Sequence, residues 1–204
     1  MDEIFEIFDP AINEPKLRSD RCRALLRYWN GLRGTRAMPT PGEIDPAALK
    51  DVLPHVMMVG ISYDPFRVFY RLVGTEVVRF AKFDFTGCYL DTLVFEPPYE
   101  KDGTAYYREA VAAKRPAYGV TYWMVEETVP RWIEFVICPL SSDGNTIDRC
   151  IVIEDYEPLK YFELDSLPPV QKQSLKSQRV QERRIGSPVA PVAINPCPQS
   201  RKLR

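Results

Sequence analysis

The chain contains a single histidine, His55, and this limits the catalytic chemistry that its sequence can support. A serine or cysteine nucleophile activated by a histidine base would have to use this residue. His55 follows Pro54 at the start of an apolar segment, and no nucleophile signature lies near it. One histidine without clustered cysteines also makes a poor zinc site. We therefore interpret His55 as a structural or surface residue, and we assign no catalytic residue and no metal ligand.

The glycines and cysteines also lack a catalytic pattern. Gly74 and Gly87 belong to neither GxxxxGK[ST] nor GxGxxG, so no phosphate-binding loop is predicted. The cysteines are odd in number and none forms a CxxC pair, which is typical of reduced thiols in a cytoplasmic protein. The N-terminal segment MDEIFEIFDP is acidic and has too short an apolar run for a signal peptide. No apolar run is long enough to predict a membrane span.

Aromatic residues are dense in the middle of the chain and predict either a ring-lined pocket or a filled core. Arg71 lies among apolar strand residues. If its face is buried, it needs a carboxylate partner, and Asp91 and Glu134 are the candidates. One hypothesis is that Arg71 anchors an acidic ligand. The alternative is a structural ion pair or an exposed arginine. The predicted pocket residues are Tyr70, Arg71, Leu72, Phe80, Phe83, Tyr89, Tyr107, Tyr122 and Phe135.

Hydrophobic periodicity and turn residues predict an α+β domain that would position these side chains. An antiparallel sheet with helices on one face is expected from the element order. The predicted helices are Leu17 to Leu32, a short one from Asp45 to Pro54, Thr75 to Phe83 and Tyr99 to Ala113, with a helical turn within Asp84 to Leu93. The predicted strands are His55 to Ser62, Arg67 to Val73, Tyr118 to Val125, Arg131 to Leu140 and Arg149 to Asp155.

The two ends of the chain differ from this middle part. Residues 1–16 are interpreted as a loose lead-in, and the alternative is that its apolar residues Ile4, Phe5, Ile7 and Phe8 dock on another part of the chain. The first helix is apolar on one side, where Tyr28 and Trp29 would either cover the open sheet face or pack on a second subunit. From Lys172 onward there are eight Lys and Arg residues and one Glu, which leaves residues 1–171 with a formal charge of about −8. An acidic body does not favour nucleic-acid binding. The Pro-rich basic segment 161–204 is interpreted as mostly disordered.

An ordered set of local motifs resembles a bacterial PAS-like family. RLVGT at 71–75 is followed by an aromatic-rich helix and by FTGCYLDTL at 85–93. LRYWNGLRG at 26–34 and IDPAALKDVLPHV at 44–56 resemble the leading region of that family, and CPLSSDG at 138–144 resembles the turn before its last strand. The resemblance covers about residues 17–157. It implies a five-stranded antiparallel PAS core at 54–160, preceded by an N-terminal helical extension at 1–53.

The resemblance raises two cofactors, and the residues support neither. Flavin photoreceptors of the PAS superfamily carry a reactive cysteine two residues after a glycine, with asparagine and glutamine partners. Here Gly87 and Cys88 are adjacent and the amide partners are missing, so Cys88 is interpreted as a small apolar core residue. The usual haem ligand is a histidine on the long helix, which has none in this chain. The cofactor is left unknown.

Three functions remain open at this point. The first is a PAS-type sensory or regulatory module that binds a small molecule beside the helices at 75–93 and signals in trans to an unidentified signalling protein. A homodimer through the N-terminal helix is a further expected partner. The second is a protein–protein interaction adaptor with a filled core and no ligand. The third is a small α+β enzyme, which is disfavoured because no spacing forces two acid or base groups together.

Overall fold

The computed structural model describes residues 4–7, 17–93, 103–124 and 130–156. Within them, six antiparallel strands form one sheet in the order β1-β4-β5-β6-β2-β3. The five strands predicted from the sequence form a continuous sheet, so the α+β class and the five-stranded antiparallel core are confirmed. The strands are β1 (Ile4–Ile7), β2 (Val56–Ser62), β3 (Arg67–Val73), β4 (Ala117–Met124), β5 (Pro130–Leu140) and β6 (Arg149–Asp155).

Strand β1 was not expected, because residues 1–16 were predicted to be a loose lead-in. It pairs with β4 from Ile4 opposite Val120 to Ile7 opposite Ala117, and thereby covers the free edge of β4. The partner lies more than a hundred residues away in sequence, so no local pattern indicates the pairing. Of the two alternatives for the lead-in, docking of its apolar residues therefore holds for these four residues.

Three α-helices accompany the sheet: α1 (Asp20–Arg33), α2 (Thr75–Ala81) and α3 (Thr104–Ala113). Helix α1 begins three residues later than predicted because Ser19 is its N-cap and accepts a hydrogen bond from the Cys22 N–H at 3.1 Å. Helix α2 ends at Ala81, two residues earlier than predicted, where Lys82 adopts the left-handed conformation. The first residues of the predicted helix from Tyr99 and the tail at 161–204 lie outside the described residues.

The predicted helix between Asp45 and Pro54 is replaced by two short 3₁₀ segments, Pro46–Leu49 and Leu53–His55. Asp45 caps the first of them, as predicted, by accepting a hydrogen bond from the Ala47 N–H at 2.9 Å. Pro54 has no N–H to continue an α-helical ladder, so the chain turns into β2 instead. Two further 3₁₀ segments, Pro41–Glu43 and Leu90–Thr92, complete the described helical elements.

The two faces of the sheet are covered by different helices. Helix α1 packs on β5 and β6, whereas α3 packs on the other side against β3, β4 and β5. We call the side that carries α2 and α3 the inner face and the side that carries α1 the outer face. Trp29 of α1 is 1% exposed and its Nε1–H donates to the Pro139 carbonyl oxygen at 2.8 Å. The structure therefore places Trp29 against the sheet, which is the first of its two predicted locations.

Candidate functional site

Four polar side chains meet on the inner face: Tyr70, Tyr107, Glu154 and Tyr156, which we call the tyrosine–glutamate cluster. Tyr70 comes from β3 and Tyr107 from α3, while Glu154 lies near the end of β6 and Tyr156 follows that strand. Alternation along β6 places Cys150, Val152 and Glu154 on one face of the sheet. The cluster therefore joins one edge of the sheet, its central strand and the long helix.

One hydrogen bond within the cluster joins Tyr156 to Glu154: the Tyr156 hydroxyl donates to Glu154 Oε2 at 2.5 Å. The Tyr107 and Tyr70 hydroxyls lie close enough that each influences the pKa of the other. Both Tyr70 and Tyr107 are buried, whereas Glu154 and Tyr156 are partly buried. The cluster thus places three hydroxyls and one carboxylate at the boundary between the core and its surroundings.

Aromatic rings surround these polar groups. Phe80 of α2 stacks on Tyr156 with ring centroids 3.9 Å apart and planes 19° apart. Phe85 meets Tyr70 edge-on at 4.6 Å, and Phe83 lies 5.5 Å from Phe85. The site is therefore apolar in its walls and polar at a few points, which is the general composition of small-molecule sites.

A second ring contact extends this wall to the neighbouring strand. Phe135 lies directly opposite Glu154 in the register of β5 and β6. Tyr106 of α3 approaches Phe135 with centroids 5.2 Å apart. Cross-strand partners share a face, so this contact fixes Glu154 on the side that α3 covers.

Burial dominates the ionisation of the cluster. It raises the pKa of Tyr70, Tyr107 and Tyr156, and the nearby Glu154 carboxylate adds to the effect in each case. Burial also raises the pKa of Glu154, and the hydrogen bond from Tyr156 offsets part of the increase. Among the described residues, no lysine or arginine is among the groups that shift the pKa of Glu154. The only formal charge that the cluster can carry is therefore negative.

Replacing Glu154 by glutamine should change how stability depends on pH. Because the folded pKa of Glu154 lies above its ordinary 4.5, the folded state holds the proton more tightly than the unfolded chain. This group therefore stabilises the fold most below the unfolded pKa, and its contribution is lost as pH rises through the folded pKa. Relative to Glu154→Gln, the wild type should lose about 1.4 kcal/mol of unfolding free energy for each pH unit between the two pKa values.

Urea unfolding of both proteins between pH 4 and pH 8 measures this difference. Glu109→Gln is the matched control because Glu109 is an exposed residue of α3. A gap between the wild type and Glu154→Gln that stays constant over this range would show that Glu154 titrates alike in both states. The other buried glutamate, Glu134, remains in all three proteins and cancels in the comparison.

The predicted pocket residues fall into two groups. Tyr70 and Tyr107 belong to the cluster, while Phe80, Phe83 and Phe135 belong to its aromatic surroundings. Leu72 is 45% exposed, and Tyr89 packs on Phe69 with centroids 5.0 Å apart. The contacts described for Leu72 and Tyr89 do not include the cluster. Tyr122 lies on β4 opposite Trp132 in the register, and its side chain falls outside the described part.

Arg71 is exposed and pairs with neither of its two expected partners. Asp91 instead accepts two hydrogen bonds from Arg67, at 2.8 and 2.9 Å. The physical reason is a register shift: Val59 faces Tyr70 and Met58 faces Leu72, which leaves Arg71 as the extra residue of a bulge. Strict alternation along β3 would put Val68, Tyr70 and Leu72 on one face of the sheet. The bulge breaks this alternation, so Leu72 is exposed although Val68 and Tyr70 are buried.

Sequence reasoning missed three members of the site: Glu154, Tyr156 and Phe85. Glu154 stands two residues after Val152 in a strand whose other inner-face positions are apolar. A carboxylate on an apolar face is the signal that could have found it, because an ionisable group there needs a partner. Phe85 was recognised as part of the dense aromatic segment but was not assigned to the site.

The outer face holds a pair of acidic residues, which anchors α1. Glu134 and Asp155 are register partners on β5 and β6, and each is 2% exposed. Glu134 accepts the backbone N–H of Arg18 at 3.0 Å and that of Ser19 at 2.5 Å. Asp155 accepts the Ser19 hydroxyl at 2.6 Å and Arg21 at 2.9 Å. Backbone N–H groups at the entry to α1, the Ser19 hydroxyl and the Arg21 side chain thus bind carboxylates of the sheet, which ties the first helix to the core.

Burial is the largest influence on the pKa of Glu134 as well. It raises the pKa of Glu134, the two backbone N–H groups lower it, and the Asp155 carboxylate raises it again. The described cysteines Cys22, Cys88, Cys138 and Cys150 are buried thiols, and burial raises the pKa of Cys22, Cys138 and Cys150. Among the described residues no three His, Cys, Asp or Glu side chains are grouped to hold a metal ion, and no helix is long and apolar enough to cross a membrane.

Comparison with known structures finds low-identity neighbours. The chain is similar to an RNA-binding light-oxygen-voltage receptor (14% identity, 72% of this chain, 40% of that chain, TM-score 0.42). It is also similar to a fungal LOV domain photoreceptor (15% identity, 68% of this chain, 92% of that chain, TM-score 0.41). A LOV protein of Rhodobacter sphaeroides is a further neighbour (15% identity, 66% of this chain, 75% of that chain, TM-score 0.38). The chain thus spans less than half of the first neighbour. No curated protein matches it significantly.

A family model provides the assignment. The model, described as a PAS domain, matches residues 17–151, which is close to the range of the resemblance found in the sequence. PAS domains are in general sensory modules and not catalysts. The match extends over more than half of the chain, and the chain therefore belongs to the PAS domain family.

Proposed function

We propose that this PAS domain is a sensory or regulatory module that binds a small molecule at the tyrosine–glutamate cluster and signals to a partner protein. The observation that carries the proposal is the cluster itself. Polar side chains from β3, α3 and the end of β6 converge within a wall of aromatic rings. A polar group in an apolar core costs free energy unless it is hydrogen-bonded, so a purely structural core would be filled more simply by apolar residues.

The positions of the cluster residues support a role in binding. Tyr70 and Tyr107 lie close together, and each hydroxyl can donate one hydrogen bond and accept others. Glu154 has two carboxylate oxygens, and Tyr156 occupies Oε2. Such a set can both donate to and accept from a ligand, which gives orientation as well as affinity. The proposed ligand contacts are Tyr70, Phe80, Phe83, Tyr107, Phe135, Glu154 and Tyr156.

The division of the chain is part of the same proposal. Residues 54–160 would form the sensory core, and residues 1–53 would form an extension whose helix α1 covers the outer face. The tail at 161–204, which lies outside the described residues, would be a separate basic segment. The signalling partner and a homodimer through α1 remain predictions.

Native mass spectrometry of the full chain, purified from its own source, tests the proposal. A bound small molecule that is lost on denaturation is expected. Tyr107→Phe removes a hydroxyl while keeping the ring, and it should lower occupancy about 2- to 10-fold, the effect of one hydrogen bond. Tyr89→Phe is the matched control because Tyr89 packs outside the cluster. Its occupancy should equal that of the wild type.

One observation favours the adaptor function as a second candidate. Glu154 has a hydrogen-bond partner in Tyr156, and Tyr107 lies beside Tyr70, so the polar groups of the cluster have neighbours of their own without a ligand. A wild-type spectrum without any bound molecule would contradict ligand binding and would make an adaptor with a filled core the better function. Equal occupancy in Tyr107→Phe and Tyr89→Phe would instead place the bound molecule away from the cluster.

A further inference from the structure

Within the described residues, Glu154 is the one charged group of the cluster. Its pKa is governed by burial and by Tyr156 without a described positive group. Three described arginines that lie near the cluster residues in sequence are engaged elsewhere. Arg67 binds Asp91, Arg108 lies over the Phe66 ring at 4.5 Å, and Arg149 pairs with Asp148 at 3.8 Å. Arg71, the predicted anchor for an acidic ligand, is exposed at the bulge of β3.

The rings beside Glu154 also favour positive charge. Tyr156 donates its hydroxyl to Glu154 and stacks on Phe80, and Phe135 stands opposite Glu154 on the neighbouring strand. Aromatic rings carry negative charge on their faces and attract cations in desolvated surroundings. A carboxylate beside such rings attracts an ammonium or guanidinium group and repels a second carboxylate. The ring faces and the carboxylate thus both attract a positively charged group.

We propose that the inner-face site selects ligands that join an apolar or aromatic body to a basic nitrogen, and that it rejects carboxylate ligands. The nitrogen pairs with Glu154, and the body packs on Phe80 and Tyr156. This inference rests on the proposed function and specifies its ligand class. It is opposite in charge to the acidic ligand that Arg71 would anchor.

Three probes that share one ring and one linker test the class. Tryptamine carries an ammonium group, tryptophol a hydroxyl and indole-3-propionate a carboxylate on the same indole. Dissociation constants are measured by calorimetry on the wild-type full chain, on Glu154→Gln and on the control Glu109→Gln. Tryptamine should bind the wild type and Glu109→Gln at least about tenfold more tightly than indole-3-propionate. In Glu154→Gln this ratio should fall towards one.

The wild-type comparison decides the question even if Glu154→Gln fails to fold. Equal or tighter binding of indole-3-propionate, or no binding of tryptamine, overturns the inference. A preference for tryptamine that persists in Glu154→Gln also overturns it, since the carboxylate would then not be its source. The proposed function fails separately: a neutral or anionic molecule in the native mass spectrum refutes only the ligand class, whereas an empty spectrum refutes ligand binding itself.

Discussion

Gly74→Ala is expected to destabilise the protein by about 3 kcal/mol or more, in the upper range for overpacking. Gly74 precedes α2, and its carbonyl accepts the Val78 N–H at 3.0 Å. A Cβ atom at this position would stand 2.2 Å from the Pro54 carbonyl oxygen and 2.9 Å from that of Val56. Both are backbone atoms, so they cannot move aside as the end of a flexible side chain can. The backbone of Gly74 itself is extended, and the constraint is therefore one of space.

Urea unfolding of Gly74→Ala beside Gly31→Ala measures this effect. Gly31 lies within α1, and a Cβ there would meet no atom within 4 Å. The control should gain about 0.5–1 kcal/mol, since alanine restricts the unfolded chain and favours the helix. Equal stability of Gly74→Ala and the wild type would contradict the close approach of α2 to the Leu53–His55 segment. A stabilised Gly74→Ala would contradict it more strongly.

Trp29→Ala should cost about 3–5 kcal/mol of unfolding free energy, the usual range for deleting a large buried aromatic side chain. Trp29 is 1% exposed between α1 and the sheet. The substitution leaves a cavity and also leaves the Pro139 carbonyl oxygen without its donor. Trp29→Phe keeps most of the apolar contact and loses the hydrogen bond, so it should cost less than Trp29→Ala.

Unfolding midpoints of the two Trp29 variants in urea give the comparison. The result bears on the organisation of the chain, because an extension that merely awaits a second subunit would tolerate both substitutions in the monomer. Loss of less than about 1 kcal/mol in Trp29→Ala at monomeric concentration would contradict the packing of α1 on the sheet. Identical losses in the two variants would assign the effect to the hydrogen bond alone.

Much of the fold follows from local patterns that tertiary contacts leave unchanged. Strands β3 and β6 begin and end where alternation and turn residues place them. The turn before β6 contains Gly144 at φ 78°, as the Asp-Gly pair predicts. In contrast, β1 is specified by a partner strand distant in sequence, and the bulge at Arg71 depends on the register between two strands. Neither feature has a local signature.

The sequence allowed aromatic residues of the candidate site to be predicted, but not its acidic residue, Glu154. Tyr70 and Tyr107 were predicted from aromatic density to line a pocket, and both are buried. Glu154 lies next to Asp155 at the end of a strand, where two acidic residues are typical of a solvated terminus. In the structure they point to opposite faces, because side chains alternate along a strand. Glu154 accepts a hydrogen bond from Tyr156, whereas Asp155 accepts one from Ser19. Only the positions of the helices determine these different surroundings.

Adjacent positions on two strands serve both faces of the sheet. Phe135 opposite Glu154 belongs to the inner face, and Glu134 opposite Asp155 belongs to the anchor of α1. A single peptide unit, about 3.3 Å of strand, thus separates the Glu154 carboxylate from the carboxylate that holds Ser19 and Arg21. Rotation of this peptide about the strand axis would tilt both carboxylates together.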